Sequence, residues 1–227
     1  LLGALIRQDE RILGLVVVLA SEPEAFDTSD ENLLEIIASQ AAVAVKNALL
    51  YQTTQQLAIT DGLTGVYNRA YFQRQLEAEF RRAPRFGYSI ALIIIDVDHF
   101  KAFNDAHGHL LGDQALRAVA QILRESTRET DVVARYGGEE FAVILPETTT
   151  EQALEVAERI RANISGHTFW GRGQTPVTVT ASIGVVGKLA SETRPETLVD
   201  LADNALYHAK NSGRDRISAI TPVQDRP

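Results

Sequence analysis

The sequence contains no cysteine, no methionine and a single tryptophan. Without cysteine it has neither a disulfide framework nor a thiolate metal site. Without methionine, even at position 1, it reads as a segment of a longer or processed protein. Long apolar runs are also missing. The longest, Leu13 to Ala20, is interrupted by Gly14 and falls short of the ~18–20 residues that a bilayer span needs. Arg7, Asp9, Glu10 and Arg11 break up the early apolar stretch, which argues against a signal peptide. Positive charge is scarce, with 22 basic against 30 acidic residues and a net charge of −8. The first 60 residues hold three basic and eight acidic groups, the remainder 19 and 22. Neither part offers the basic surface through which nucleic-acid binders release counterions. The expectation is a soluble, cytoplasmic chain that engages neither nucleic acid nor membrane.

What is present suits a folded core: 45% apolar and 23% charged residues over 227 positions. At ~150 residues per domain, that length allows one to two domains. Leu1 to Ile6 and Ile12 to Ala20 are apolar and rich in β-branched residues, and the polar Gln8 to Arg11 between them predicts a strand pair. A helix is predicted to start at Thr28, Ser29 or Asp30, with Asp30 and Glu31 suiting the positive end of its dipole. No helix breaker follows until Gly62, and positions 34, 37, 41, 44, 48, 51, 55 and 58 form a heptad seam of mostly small residues. Such a helix outgrows one domain, so it reads as a stalk.

After Asp61-Gly62 the pattern alternates between helix and strand. Predicted helices cover 68–82, a short stretch after Asp98, 110–125, 151–164 and 197–210; predicted strands cover 88–96, 131–135, 140–145, 177–186 and 216–220. Tyr88 to Asp96 is so uniformly apolar in its middle that both faces must be covered. The fold class is α/β (α+β): a central, mostly antiparallel sheet flanked by helices.

Four features carry chemistry. Asp96-Val97-Asp98 ends the buried strand, and paired carboxylates at a strand end suit Mg²⁺ and substrate phosphates. One aspartate simply capping the next helix is an equal reading. Gly137-Gly138-Glu139-Glu140 lies between two strands, where glycines permit a tight turn and close approach of a ligand to the backbone. A plain turn with exposed acids is the simpler reading, but glutamates opposite Asp96 would make a carboxylate cluster that is costly without a cation. Asn104, His109 and Asp113 offer amide, imidazole and carboxylate groups that can read a guanine edge. Zinc is disfavoured because neither cysteine nor a His-x₃-His spacing is present. Lys101, Lys210 and Arg214 would provide the cations a triphosphate needs beside a metal; for each singly a solvated surface charge is the plainer reading, but three together favour a site.

Taken in order, these blocks resemble the GGDEF diguanylate cyclase family. The matching stretches are Asp61 to Arg69, Asp96 to Lys101, Gly108-His109 with Gly112-Asp113, Arg135 to Phe141, Ser182-Ile183-Gly184, and Ala202 to Lys210 with Gly213-Arg214. Glu139 makes this the GGEEF form. The resemblance implies a polymerase-palm-like cyclase domain that condenses two GTP into cyclic di-GMP and two pyrophosphates across a homodimer. It implies Mg²⁺, with Mn²⁺ as an alternative, on Asp96, Glu139 and the Val97 carbonyl. Glu139 would be the base, Lys101 would stabilise the transferring phosphoryl group, and Glu140 matches a signature position. Asn104 and Asp113 would read guanine with His109 at the substrate site, and Lys210 and Arg214 would hold the outer phosphates. Arg128-Glu129-Thr130-Asp131 resembles the family's RxxD product-inhibition site, with Arg159 as its secondary arginine; a surface ion pair is the plainer reading.

Residues 1–50 resemble the C-terminal half of a GAF sensor, through Gly14 to Val18, Ala25-Phe26 and Gln40 to Ala48. The implied organisation is a partial GAF-like segment (1–50), a helical linker (51–60), the cyclase domain (61–222) and a tail (223–227). Two rivals stand beside an active cyclase. One is a catalytically silent GTP- or cyclic di-GMP-binding module; the other is a cyclase of broader nucleotide choice, against which Asp113 argues because a carboxylate repels the adenine N1 acceptor.

Overall fold

The computed structural model describes residues 1–8, 11–22, 25–170, 175–187 and 194–220, with residues 8 and 49–58 described by backbone alone. The expected tail at 223–227 lies outside the described residues. By internal contacts the chain divides into two compact units, Leu1–Ala58 and Ile59–Pro227. Among the described residues no helix is long and apolar enough to cross a membrane.

In the first unit, β1 (Leu2–Gln8) and β2 (Arg11–Val18) form the expected antiparallel pair, with a bulge at Ile6/Arg7. The helix α1 spans Thr28–Ile59. Its cap is not one of the three residues expected but Asp27, whose Oδ1 accepts the backbone N–H groups of Ser29 and Asp30 at 2.7 and 3.0 Å. Asp30 returns the bond to the Asp27 N–H at 3.0 Å, a reciprocal capping box. Leu34 and Ala38, one turn apart, bury against Ala4, Leu2, Ile6 and Val16. Seam positions further along, such as Ile37, Ala44 and Ala48, are exposed within this unit; the side chains of Tyr51, Gln55 and Ala58 lie outside the description.

The second unit is built on a six-stranded sheet in the order β10-β9-β4-β6-β5-β3. Its members are β3 (Tyr67–Asn68), β4 (Ile90–Val97), β5 (Val132–Arg135), β6 (Glu140–Pro146), β9 (Ala181–Gly187) and β10 (Ile217–Ile220). The three central pairings are antiparallel, whereas the edge pairs β10·β9 and β3·β5 are parallel. Every residue of β4 is buried, and alternate side chains feed two cores. Ile93, Ile95 and Val97 join one with α3 (Phe100–His107), α4 (His109–Glu125) and α5 (Thr150–Gly166). Leu92 and Ile94 join the other with α2 (Arg69–Phe86) and α6 (Pro195–Asn211). At ~1.5–3 kcal/mol per buried aliphatic side chain, this strand is the strongest fixed point of the domain.

Two expectations need correction. The strand read over 177–186 is two pieces: β8 (Pro176–Val177) pairs with β7 (Phe169–Trp170) in a separate ribbon, and only β9 enters the main sheet. Helix α2 does not stop at Arg82 but continues through Pro84 to Phe86, where left-handed Gly87 closes it by donating to the Ala83 carbonyl at 2.8 Å.

Candidate active site

The C-terminal end of β4 is where the sheet, the signature turn and α6 meet. Asp96 pairs across the sheet with Glu140 on β6 and with Ser182 on β9. Directly opposite residues share a face, so the Asp96 and Glu140 carboxylates are neighbours. The Val97 N–H donates to the Glu139 carbonyl at 3.2 Å, which brings the first signature glutamate beside the strand end. The Glu140 side chain folds back over Gly137, and a methyl group on that glycine would overlap it.

Helix α6 delivers the cation. At Gly184 a Cβ would collide with the backbone of Ala202 and Leu206, so α6 lies flat on β9 only because that position lacks one. Lys210, in the last turn of α6, then reaches Asp96 Oδ2 at 2.8 Å. Burial pushes the Asp96 carboxyl above its usual range, and Lys210, with a smaller contribution from Arg214, only partly offsets this. Burial raises Glu140 as well, reinforced by Asp96, Asp203 and Glu139. A buried and a half-buried carboxylate beside one lysine make a place where further positive charge is favoured. The ligands expected from the sequence, Asp96, Glu139 and the Val97 carbonyl, would offer oxygen alone, the chemistry that a hard divalent cation takes. Among the described residues no three acidic or imidazole side chains are gathered closely enough to hold a metal by themselves.

A second cluster forms where α3 meets α4. Gly108, with φ 87°, ends one helix and opens the next. Asn104 Oδ1 is buried there without a hydrogen-bond partner, pressed against Gly112, where any Cβ would overlap it. Asp113 follows on α4, half-buried, while His109 and Lys101 are exposed on the first turns of α4 and α3. A buried, unused acceptor is costly, and a donor arriving from outside the protein would satisfy it.

The third group sits at the C-terminal end of α4. The Arg128 N–H donates to Asp131 Oδ2 at 2.8 Å, and the Asp131 N–H donates back to the Arg128 carbonyl at 3.1 Å. Arg159, on α5, donates to the Ser126 carbonyl at 2.8 Å. Burial raises the Asp131 carboxyl, while Arg128 and Arg159 oppose the shift. Arg128 and Asp131 line a cavity of about 550 Å³ together with Thr60, Tyr67 and Arg124.

Asp98, read with Asp96 as a carboxylate pair, is engaged elsewhere. Its oxygens accept from Thr180 Oγ1 and Ser182 Oγ, both at 2.7 Å, and from the Asp215 N–H at 3.0 Å. Nor does it cap α3: the residue before that helix is His99, held at φ 54° with no side-chain cap. Sequence reasoning also passed over Arg135. Its Nη1 bonds both Asp61 oxygens at 3.1 and 3.2 Å, and its Nε and Nη2 hold the Gly138 carbonyl at 3.1 and 2.7 Å. Asp61 and Arg135 stood in two separate blocks, and nothing in a linear string joins residues 74 positions apart.

Comparison with known proteins agrees with this arrangement. Residues 58–216 match the family model described as "Diguanylate cyclase, GGDEF domain", and residues 1–45 match the GAF domain model. The response regulator PleD of Caulobacter vibrioides is 44% identical over 163 residues, which cover 71% of this chain and 36% of PleD. The chain thus spans about a third of that relative's length. The coiled coil and GGDEF domain of DgcB from Caulobacter crescentus, solved with c-di-GMP, superposes with a TM-score of 0.79 at 31% identity, covering 83% of this chain and all of that one. The active GGEEF domain of a Vibrio cholerae diguanylate cyclase gives 0.63 at 31% identity, covering 70% and 98%. With the signature turn, the β4 carboxylate and the α6 lysine converging on one sheet end, the chain belongs to the GGDEF family of diguanylate cyclases.

Proposed function

We propose that this chain condenses two GTP molecules into cyclic di-GMP. The observation that carries the reading is the Val97–Glu139 backbone bond, which sets the signature glutamate beside the strand end that bears Asp96. Each domain holds one GTP; the ribose 3′-oxygen of one attacks the α-phosphorus of the other, and pyrophosphate leaves. Repeating the step in the opposite sense closes the ring and releases the second pyrophosphate.

Asp96, Glu139 and the Val97 carbonyl are the residues that would hold a divalent metal, Mg²⁺ or Mn²⁺. Bound there, it supplies charge neutralisation and acidifies the attacking hydroxyl. Glu139 accepts the 3′-OH proton, with Glu140 as the neighbouring carboxylate opposite Asp96. Lys101 stabilises charge on the transferring phosphoryl group. Arg214 binds the outer phosphates, and so does Lys210 once it leaves Asp96. The unsatisfied Asn104 Oδ1 suits the exocyclic amine of guanine, Asp113 accepts the remaining guanine donors, and His109 lines the substrate site. Arg128, Asp131 and Arg159 form an inhibitory site for the product. The long helix α1 pairs two chains so that their half-sites meet, downstream of a GAF-like sensor in a cytoplasmic protein.

Incubating the purified chain with GTP and Mg²⁺, with ATP in parallel and chromatographic separation of products, tests this. Cyclic di-GMP from GTP alone is expected, with turnover lost in Glu139→Gln while the fold persists. GTP binding without product would instead favour a silent module, and normal rates in Glu139→Gln would overturn the metal and base assignment.

A further inference from the structure

The loop after α6 is held in a conformation that its residues do not favour. Arg214 and Asp215 are consecutive non-glycine residues with φ of 61° and 43°, a left-handed step that L side chains disfavour. Such a step persists where neighbouring groups over-determine it, and here two do. From the sheet side, buried Asp98 accepts the Asp215 N–H at 3.0 Å while gathering the hydroxyls of Thr180 and Ser182. From the helix side, Arg161 on α5 donates through Nη1 to Asp215 Oδ1 at 2.7 Å, and Glu158 steadies it at 2.9 and 2.7 Å through Nε and Nη2. Asp215 is thus gripped through its backbone by Asp98, the residue after β4, and through its side chain by Arg161 of α5. What the grip fixes is the residue before it. Arg214 is tied back to the Ala209 carbonyl by its own N–H at 3.2 Å.

We propose that Asp98 and Arg161 are positioning residues for phosphate recognition: they hold the Arg214–Asp215 step between the end of β4 and α5, and so fix the backbone from which Arg214 projects, four residues after the Lys210 that pairs with Asp96. The proposal rests on reading this site as one that binds a nucleoside triphosphate, and it gives two residues outside the signature a definite task. Arg161 acts from the far side of the loop, through Asp215, and touches no substrate. Asp98 becomes the link by which the strand that carries a metal-binding carboxylate also sets the phosphate-binding loop.

The test uses inorganic tripolyphosphate with Mg²⁺, titrated calorimetrically into the full chain, so that neither guanine recognition nor turnover enters. The variants are Arg161→Met, Arg214→Ala, their double, and Asp98→Asn, each checked for folding by thermal melting. Arg161→Met is expected to weaken binding about tenfold, Arg214→Ala by a similar factor, and the double variant no further, because one residue works through the other. Asp98→Asn should also bind more weakly than the parent; Arg161→Met keeps the test sound if that buried substitution fails to fold. The proposal is overturned if Arg161→Met binds like the parent while melting lower, if the two penalties multiply, or if the parent itself does not bind tripolyphosphate. Cyclic di-GMP formation by the parent is scored separately. A chain that makes no product yet shows the predicted binding cycle would sink the cyclase reading and leave the positioning role standing.

Discussion

At the scale of single residues, Asp96 and Asp98 show how far a short string can be read. The sequence places two carboxylates at the end of a buried strand, and both are candidates for a cation. The structure separates them by what surrounds each. Asp96 faces Glu140 and pairs with the single cation of Lys210, whereas Asp98 is consumed by two hydroxyls and an amide that arrive from 82 to 117 residues away. Gly112 makes a comparable point. In the sequence it is one glycine of a motif, but in the fold it is the wall against which Asn104 rests. Gly112→Ala should drive the amide out of place and raise the KM for GTP about tenfold with a smaller change in kcat, as expected when a base-reading contact is lost. Steady-state kinetics would show it; an unchanged KM would mean that Asn104 does not read the base.

At the scale of elements, the turns matter more than the helices and strands they join. The Asp61–Thr64 turn is closed by the Thr64 N–H and hydroxyl donating to Asp61 Oδ1 at 2.9 and 2.6 Å, and Arg135 carries that turn across to the Gly138 carbonyl. Burial alone would raise the Asp61 carboxyl, yet Thr64 and Arg135 together hold it below its usual range. A carboxyl depressed in the fold stabilises it above the unfolded-state pKa and loses that contribution as pH falls through the folded-state value. Asp61→Asn should therefore be less stable than the parent near neutral pH, with the difference shrinking in acid. Urea midpoints measured down the pH scale would reveal it, and a pH-independent difference would refute the assignment. Gly184 sets the packing of α6 on β9 in the same way, through a missing Cβ that no hydropathy pattern marks.

At the scale of the molecule, exposed apolar side chains on α1 and the two-GTP reaction proposed above lead to a prediction about assembly. Leu33 and Ile37, one turn apart on α1, are 56% and 47% exposed within the first unit, and apolar side chains at helical spacing gain most by burial against a partner helix. Specific activity is accordingly expected to rise with protein concentration and to saturate once dimers form, as followed by initial rates alongside light scattering. A rate per chain that is independent of concentration would argue against shared half-sites. Arg128→Ala should relieve product inhibition without weakening GTP binding, read from progress curves with added cyclic di-GMP. Unchanged inhibition would leave 128–131 a turn closed by its own hydrogen bonds.

The sequence by itself determined the helices, the longer strands and their order, because periodicity and glycine punctuation are local properties, but not the two-residue strands β3 and β7. It also determined the chemical inventory, since Asp96, Glu139, Asn104, Asp113, Lys101 and Lys210 are legible as types at characteristic spacings. Only the tertiary structure decided that Asp96 meets Lys210 while Asp98 is spent on hydroxyls and an amide, that Arg135 joins the first turn to the signature turn, that the strand read over 177–186 breaks in two, and that Arg161 reaches Asp215 on the loop after α6. The physical reason is that burial, pairing and strain are set by neighbours far apart in the chain, and a linear pattern carries no record of which distant groups will compete for the same oxygen.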